Sequence, residues 1–139
     1  MEKLSDGEIT VVLGLLALGD MATTEDLTKI LKCSEQYVRN NIHKLRKKGI
    51  VTSLRPSQIA VGILLGSPIS QEVPAKAKQK VHALNMDFDE LIRNYPEILD
   101  YSKVIFKEVK TPEELKMQIE QTRKKLKERG GMMSDEQGG

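Results

Sequence analysis

Between Lys29 and Arg55 the chain carries eight basic residues (Lys29, Lys32, Arg39, Lys44, Arg46, Lys47, Lys48 and Arg55) against a single acid, Glu35. Set among them are Ser34, Gln36, Tyr37, Asn40 and Asn41. Such a mixture suits recognition of a polyanion: cations hold phosphates, and amides match the donor and acceptor patterns of base edges. The flanks do not share this charge. Residues 1–28 hold one base and six acids, a net of −5, and residues 56–139 hold thirteen of each. A polyanion would therefore meet one segment, although the net charge of the whole chain is only +2. A solvated basic face is the plainer explanation of the same residues, and the local structure must weigh between the two.

Other chemistries find less support. Gly14 and Gly19 have the spacing of a phosphate loop, but Asp20 follows where Lys-Ser/Thr is needed. Cys33, His43 and His82 lack zinc-site spacing. No Ser/His/Asp or Cys/His arrangement stands out, so no metal, cofactor or enzymatic activity is expected. One cysteine forms no internal disulfide, which fits a reducing cytoplasm. With 4% aromatic residues and no Trp, a base-stacking platform is not expected. The longest apolar stretch, Ile9–Leu18, is too short to span a bilayer, which takes about 20 residues, and its acidic flank does not suit a signal peptide. At 139 residues, 39% hydrophobic and 30% charged, the chain is a globular domain or a small domain with an extension.

The elements that must position the basic segment can be read from caps and periodicity. Ser5-Asp6-Gly7-Glu8 is a capping box ahead of a helix that is apolar nearly all round and stops near Gly19. Thr23-Thr24-Glu25-Asp26 opens a short amphipathic helix with Leu27, Ile30 and Leu31 inward. After a tight break at Lys32-Cys33, Ser34 caps a third helix reaching Lys48. Val38, Ile42 and Leu45 form its inner face. Gln36, Tyr37, Asn40, Asn41, Lys44 and Lys48 are assigned to the outer face, flanked by Arg39, His43 and Lys47. Gly49 ends the helix and Ile50–Leu54 reads as a strand.

Thr24–Ser34, followed by Ser34–Val51 with its ending Lys44-Leu45-Arg46-Lys47-Lys48-Gly49-Ile50-Val51, resembles the winged helix-turn-helix domains of compact archaeal and bacterial transcriptional regulators, MarR-like or TrmB-like. The likeness spans residues 5–65. It implies a mainly α fold with a small β-wing, and a third helix that reads the major groove of double-stranded DNA. Under that resemblance Gln36, Asn40 and Asn41 meet adenine edges, and Tyr37 meets a phosphate or a thymine methyl. Lys44, Arg46, Lys47 and Lys48 hold phosphates, Ser34 offers a phosphate its backbone amide, and Arg55 sits on the wing. About five neutralised phosphates would give a log–log salt slope of roughly −4 to −5. Lys47 and Lys48 also suit a helix C-terminus for purely structural reasons.

Residues 59–65 are expected to return as the second wing strand, although a short buried helix fits equally well because the stretch does not alternate. Residues 66–84 read as a linker or irregular basic segment. Residues 85–129 read as a helical region, with Asn85 capping a helix from Met86, a short strand over Val104–Val109, and a helix from Thr111-Pro112 to Arg129. Leu115, Ile119, Thr122 and Leu126 form a two-heptad seam, either packing on residues 85–109 or pairing with a second copy as a homodimer. Residues 130–139 read as a disordered tail. The expected function is sequence-specific transcriptional regulation. The alternatives are a protein–protein assembly module in a larger complex and a sequence-tolerant chromatin or partition protein.

Overall fold

A computed structural model describes residues 3–54 and 80–129. Among them lie six helices and a small antiparallel sheet of three strands. Helix α1 (Asp6–Ala17) begins at the expected capping box: Ser5 Oγ accepts from the Glu8 amide at 3.3 Å, and the Glu8 carboxylate accepts from the Ser5 amide at 2.9 Å. Ile9, Val11, Val12, Leu15 and Leu16 are all buried, so this helix is wrapped on most sides. It ends in two successive left-handed residues, Gly19 and Asp20, which turn the chain into β1 (Met21–Thr23). Thr23 then caps α2 (Thr24–Leu31) in a second reciprocal box with Asp26. Lys32 is left-handed at the C-cap, and Ser34 caps α3 (Glu35–Lys47) by accepting from the Tyr37 amide. Gly49, at φ +78, releases the chain into β2 (Val51–Leu54).

The strand at the centre of the sheet is β3 (Val81–Leu84), in the order β1-β3-β2. Val51 pairs with Leu84 and Leu54 with Val81, while Met21 and Thr23 pair with Ala83 and Val81 on the other side. The stretch read from sequence as a linker through residue 84 therefore ends in the central strand. The strand carries little sequence signal, being four residues long with a histidine, His82, as its buried residue. Residues 59–65, the expected returning strand, lie outside the described residues, as do Arg55 and the tail from 130.

Three helices follow. Asp87, not Asn85, caps α4 (Phe88–Asn94), accepting from the Glu90 amide at 2.8 Å. Asn85 is engaged with the sheet: its amide nitrogen donates to the Gly49 carbonyl, and its oxygen accepts from the Thr52 hydroxyl. Val104 and Ile105, expected in a strand, form the last turn of α5 (Glu97–Ile105). Pro96 starts that helix and the Ser102 hydroxyl bonds back to the Ile98 carbonyl within it, so the β-branched pair ends a helix with no strand to join. Helix α6 (Pro112–Arg129) opens on a reciprocal Thr111–Glu114 box, as its sequence foretells.

One hydrophobic core runs through both halves, joining Val12, Leu27, Val38 and Leu45 with Leu91, Ile98, Leu115 and Ile119. Of the two expectations for the α6 seam, packing within the chain accounts for Leu115 and Ile119, which are buried as α6 lies along α1 and α5. Arg123 fastens this contact, donating to the Leu16 carbonyl at 2.7 Å and to Asp20 at 3.1 Å. No helix among the described residues is long and apolar enough to cross a membrane.

Candidate nucleic-acid interface

Helix α3 is braced from behind by Val38, Ile42 and Leu45, each buried against α1 and α2. Two polar residues share that inner face. Asn41 is only 5% exposed, and its amide nitrogen donates to the Tyr37 carbonyl at 2.9 Å. Its oxygen lies so near α1 that a Cβ added at Gly7 would sit 2.8 Å from it, so a glycine is needed there. Lys48, just past the helix, turns inward to the buried Glu8 carboxylate at 2.8 Å and 3.0 Å and also reaches the Lys3 carbonyl. The sequence pattern assigns Asn41 and Lys48 to the outer face; in the structure both lie on the inner one. The reason is periodicity: at i+3 and i+10 from Val38 they lie beside Leu45 on the same side of a 3.6-residue helix.

The stripe facing away from the core is Gln36, Asn40, His43 and Lys47, all exposed, with Lys44 and Arg46 exposed on either side. His43, placed on the flank from sequence, stands in the middle of this stripe; its position three after Asn40 and four before Lys47 is the signal. Gln36 donates to Asn40 Oδ1 at 2.8 Å, one turn along. Arg39 is held by Glu35 at 2.9 Å in an exposed pair of the sort worth little and easily parted. Ser34 is exposed at the N-cap with its hydroxyl occupied by the Tyr37 amide. Tyr37 leans along α1, and its hydroxyl would lie 3.0 Å from a Cβ at Gly7. Lys44, Arg46 and Lys47 have no carboxylate within ion-pair distance among the described residues. Among the described residues, α3 packs chiefly on α1, α2 and β2, and the side chains of this stripe are exposed.

Beside α3, the sheet is tied to α2 through His82. Its Nδ1 shares a hydrogen bond of 2.7 Å with the Ser53 hydroxyl and its Nε2 one of 2.9 Å with the Thr24 hydroxyl. Burial, and then the nearby charges of Arg46 and Lys80, push the imidazole down to about 4. At neutral pH it is uncharged, and its role in this arrangement is to join three elements. No group of three or more His, Cys, Asp or Glu side chains among the described residues is arranged to hold a metal.

A second feature lies on the other side of α1. An apolar groove of about 210 Å³ runs between α1, α2 and α6, lined by Leu13, Gly14, Leu31, Phe106 and Ile119 among others. Val104, Ile105 and Met117 are exposed, Val104 to 75%. Comparisons of the chain with protein-family models, with curated proteins and with solved structures find no match.

Proposed function

We propose that this protein binds double-stranded DNA by inserting the outer face of α3 into the major groove, as a winged helix-turn-helix transcriptional regulator. The observation that carries this reading is the open stripe of Gln36, Asn40, His43 and Lys47, flanked by Lys44 and Arg46, on a helix locked to the core by Val38, Ile42 and Leu45. A rigid helix with amides toward its N-terminal half and exposed cations toward its C-terminal half suits a groove floored by base edges and walled by phosphates. The order helix, strand, helix, tight turn, helix, strand, with an antiparallel strand returning between the first two strands, supports the winged-helix assignment. Fluorescence anisotropy with a labelled duplex is the direct test. Binding is expected at physiological salt, and substituting Lys44, Arg46 and Lys47 together by Ala should remove it. Equal binding by the triple variant would contradict the reading.

The exposed Val104, Ile105 and Met117 favour a second contact, with protein, through the C-terminal helices. A homodimer formed there would carry two copies of α3 to two half-sites. Sedimentation equilibrium tests it: Val104→Asp should shift a dimer towards monomer, and a wild-type chain that stays monomeric at high concentration would exclude it.

A further inference from the structure

We propose that the apolar groove between α1, α2 and α6 binds a small uncharged molecule, a compact hydrocarbon of one or two rings, independently of any duplex on α3. The groove holds about 210 Å³ and is lined by Leu13 and Ala17 of α1, Ile30 and Leu31 of α2, Phe106 after α5, and Ile119 of α6. Leu13, Ile30, Leu31 and Phe106 are only half-buried, and Ile105, which also lines it, is exposed. Folding leaves these side chains partly in water around one concavity. A molecule that displaces that water gains the apolar area that the fold does not cover.

The wall decides the class of molecule. Thr10, Gln118 and Thr122 line the groove, yet its surface is almost wholly carbon. The threonine hydroxyls are already spent: Thr10 donates to the Asp6 carbonyl at 2.7 Å and Thr122 to the Gln118 carbonyl at 2.9 Å, each one turn back in its own helix. None of the lining residues is charged. Arg123, which follows Thr122, is committed to the Leu16 carbonyl and to Asp20. A carboxylate or ammonium in the groove would lose its water and meet no counter-charge. A hydroxyl there would lose its hydrogen bonds, at a cost of roughly 5- to 150-fold in affinity. The complementary occupant is therefore neutral and apolar. Size sets the other bound: a dry cavity of about 150 Å³ lined by Leu, Ile and Phe is enough for benzene, so this groove has space for a substituted ring or two fused ones.

The test uses the full chain, carbon-13 labelled at Ile, Leu and Val methyls and titrated with toluene, with phenol and benzoate as controls of similar size. Toluene should bind with a dissociation constant of about 1 mM or tighter and should move the methyls of Leu13, Ile30, Leu31 and Ile119 most. Phenol should bind about 5- to 150-fold more weakly, and benzoate should leave those methyls unmoved. Ala17→Leu, which puts methyl groups into the groove, should weaken toluene at least about tenfold. Thr122→Val, which removes a hydroxyl and keeps the shape, should bind as wild type does. The methyl map of the wild type decides the matter even if Ala17→Leu does not fold. Groove methyls unmoved by toluene near its solubility limit, equal affinity for toluene and benzoate, shifts centred on Val104, or undiminished binding by folded Ala17→Leu would each overturn the site. Movement of the same methyls when the chain alone is concentrated would show a second copy seated there and overturn it too. No duplex enters any arm, so failure here leaves the reading of α3 standing.

Discussion

The Lys48 ammonium lies 2.8 Å from the Glu8 carboxylate, joining the residue that follows α3 to the first turn of α1 through an ion pair whose carboxylate is buried and whose lysine is half-buried. Burial raises the Glu8 carboxyl, but the hydrogen bond from Lys48, the bonds from Ser5 and the Lys48 charge outweigh it and hold the group below its ordinary 4.5. The pair therefore contributes fully above that value, and its contribution is lost as pH falls through the lower, folded one. Lys48→Met should cost about 3 kcal/mol in urea unfolding, since it leaves the buried Glu8 carboxylate without its cation, and Glu8→Gln, whose oxygen still accepts from Lys48, should cost less. Lys47→Ala, on the exposed face, should cost less than about 0.5 kcal/mol. The double substitution Glu8→Gln with Lys48→Met should cost less than the sum of the two single ones.

His82 gives the fold a second dependence on acid. The unfolded chain takes up a proton there near 6.5, whereas the folded chain refuses it until about 4. Stability is thus complete above that window and falls as pH is lowered through it. His82→Leu should be less stable than wild type at neutral pH, because the Ser53 and Thr24 hydroxyls lose their shared partner. The gap should narrow on acidification, by at most about 3 kcal/mol. Denaturant midpoints of the two proteins between neutral pH and pH of about 4 measure it.

Two glycines of α1 should respond differently to alanine. At Gly7 a new Cβ would meet the Asn41 amide at 2.8 Å, and Asn41 is fixed by its bond to the Tyr37 carbonyl. Gly7→Ala should therefore cost about 1–3 kcal/mol, and Asn41→Ala in the same chain should recover part of the loss. At Gly14 the neighbours are methyl groups of Leu27 and Leu31 at 3.1–3.3 Å, which can shift. The helical gain of about 1 kcal/mol for alanine over glycine should offset that contact, leaving Gly14→Ala near neutral. Thermal unfolding of the three variants distinguishes these outcomes.

What was legible in the sequence was local. Ser5, Thr23, Ser34 and Thr111 each announce a helix because a cap bonds to residues within one turn, and the structure has a helix at each. The inner line of Val38, Ile42 and Leu45 was legible for the same reason. What failed depended on distant partners. Val81–Leu84 becomes a strand only because β1 and β2 flank it, and its buried histidine hides the pattern. Lys48 counts as a surface cation until Glu8, forty residues away, is seen beside it. Asn41 looks like an interface amide until Gly7 opens the space that it fills. Val104 and Ile105 have strand chemistry, yet the helix begun at Pro96 carries through them.

The most direct measurement of the central claim is the salt dependence of duplex binding. With Lys48 held by Glu8, the exposed cations of α3 without a carboxylate partner among the described residues are Lys44, Arg46 and Lys47. Neutralising one phosphate with each gives an expected slope of log affinity against log salt of about −3, shallower than a count that includes Lys48, and each single alanine substitution should reduce it by about 0.9. Lys48→Met should leave the slope unchanged in protein that remains folded. A slope near zero, or one that persists when Lys44, Arg46 and Lys47 are all replaced, would contradict the placement of α3 against DNA.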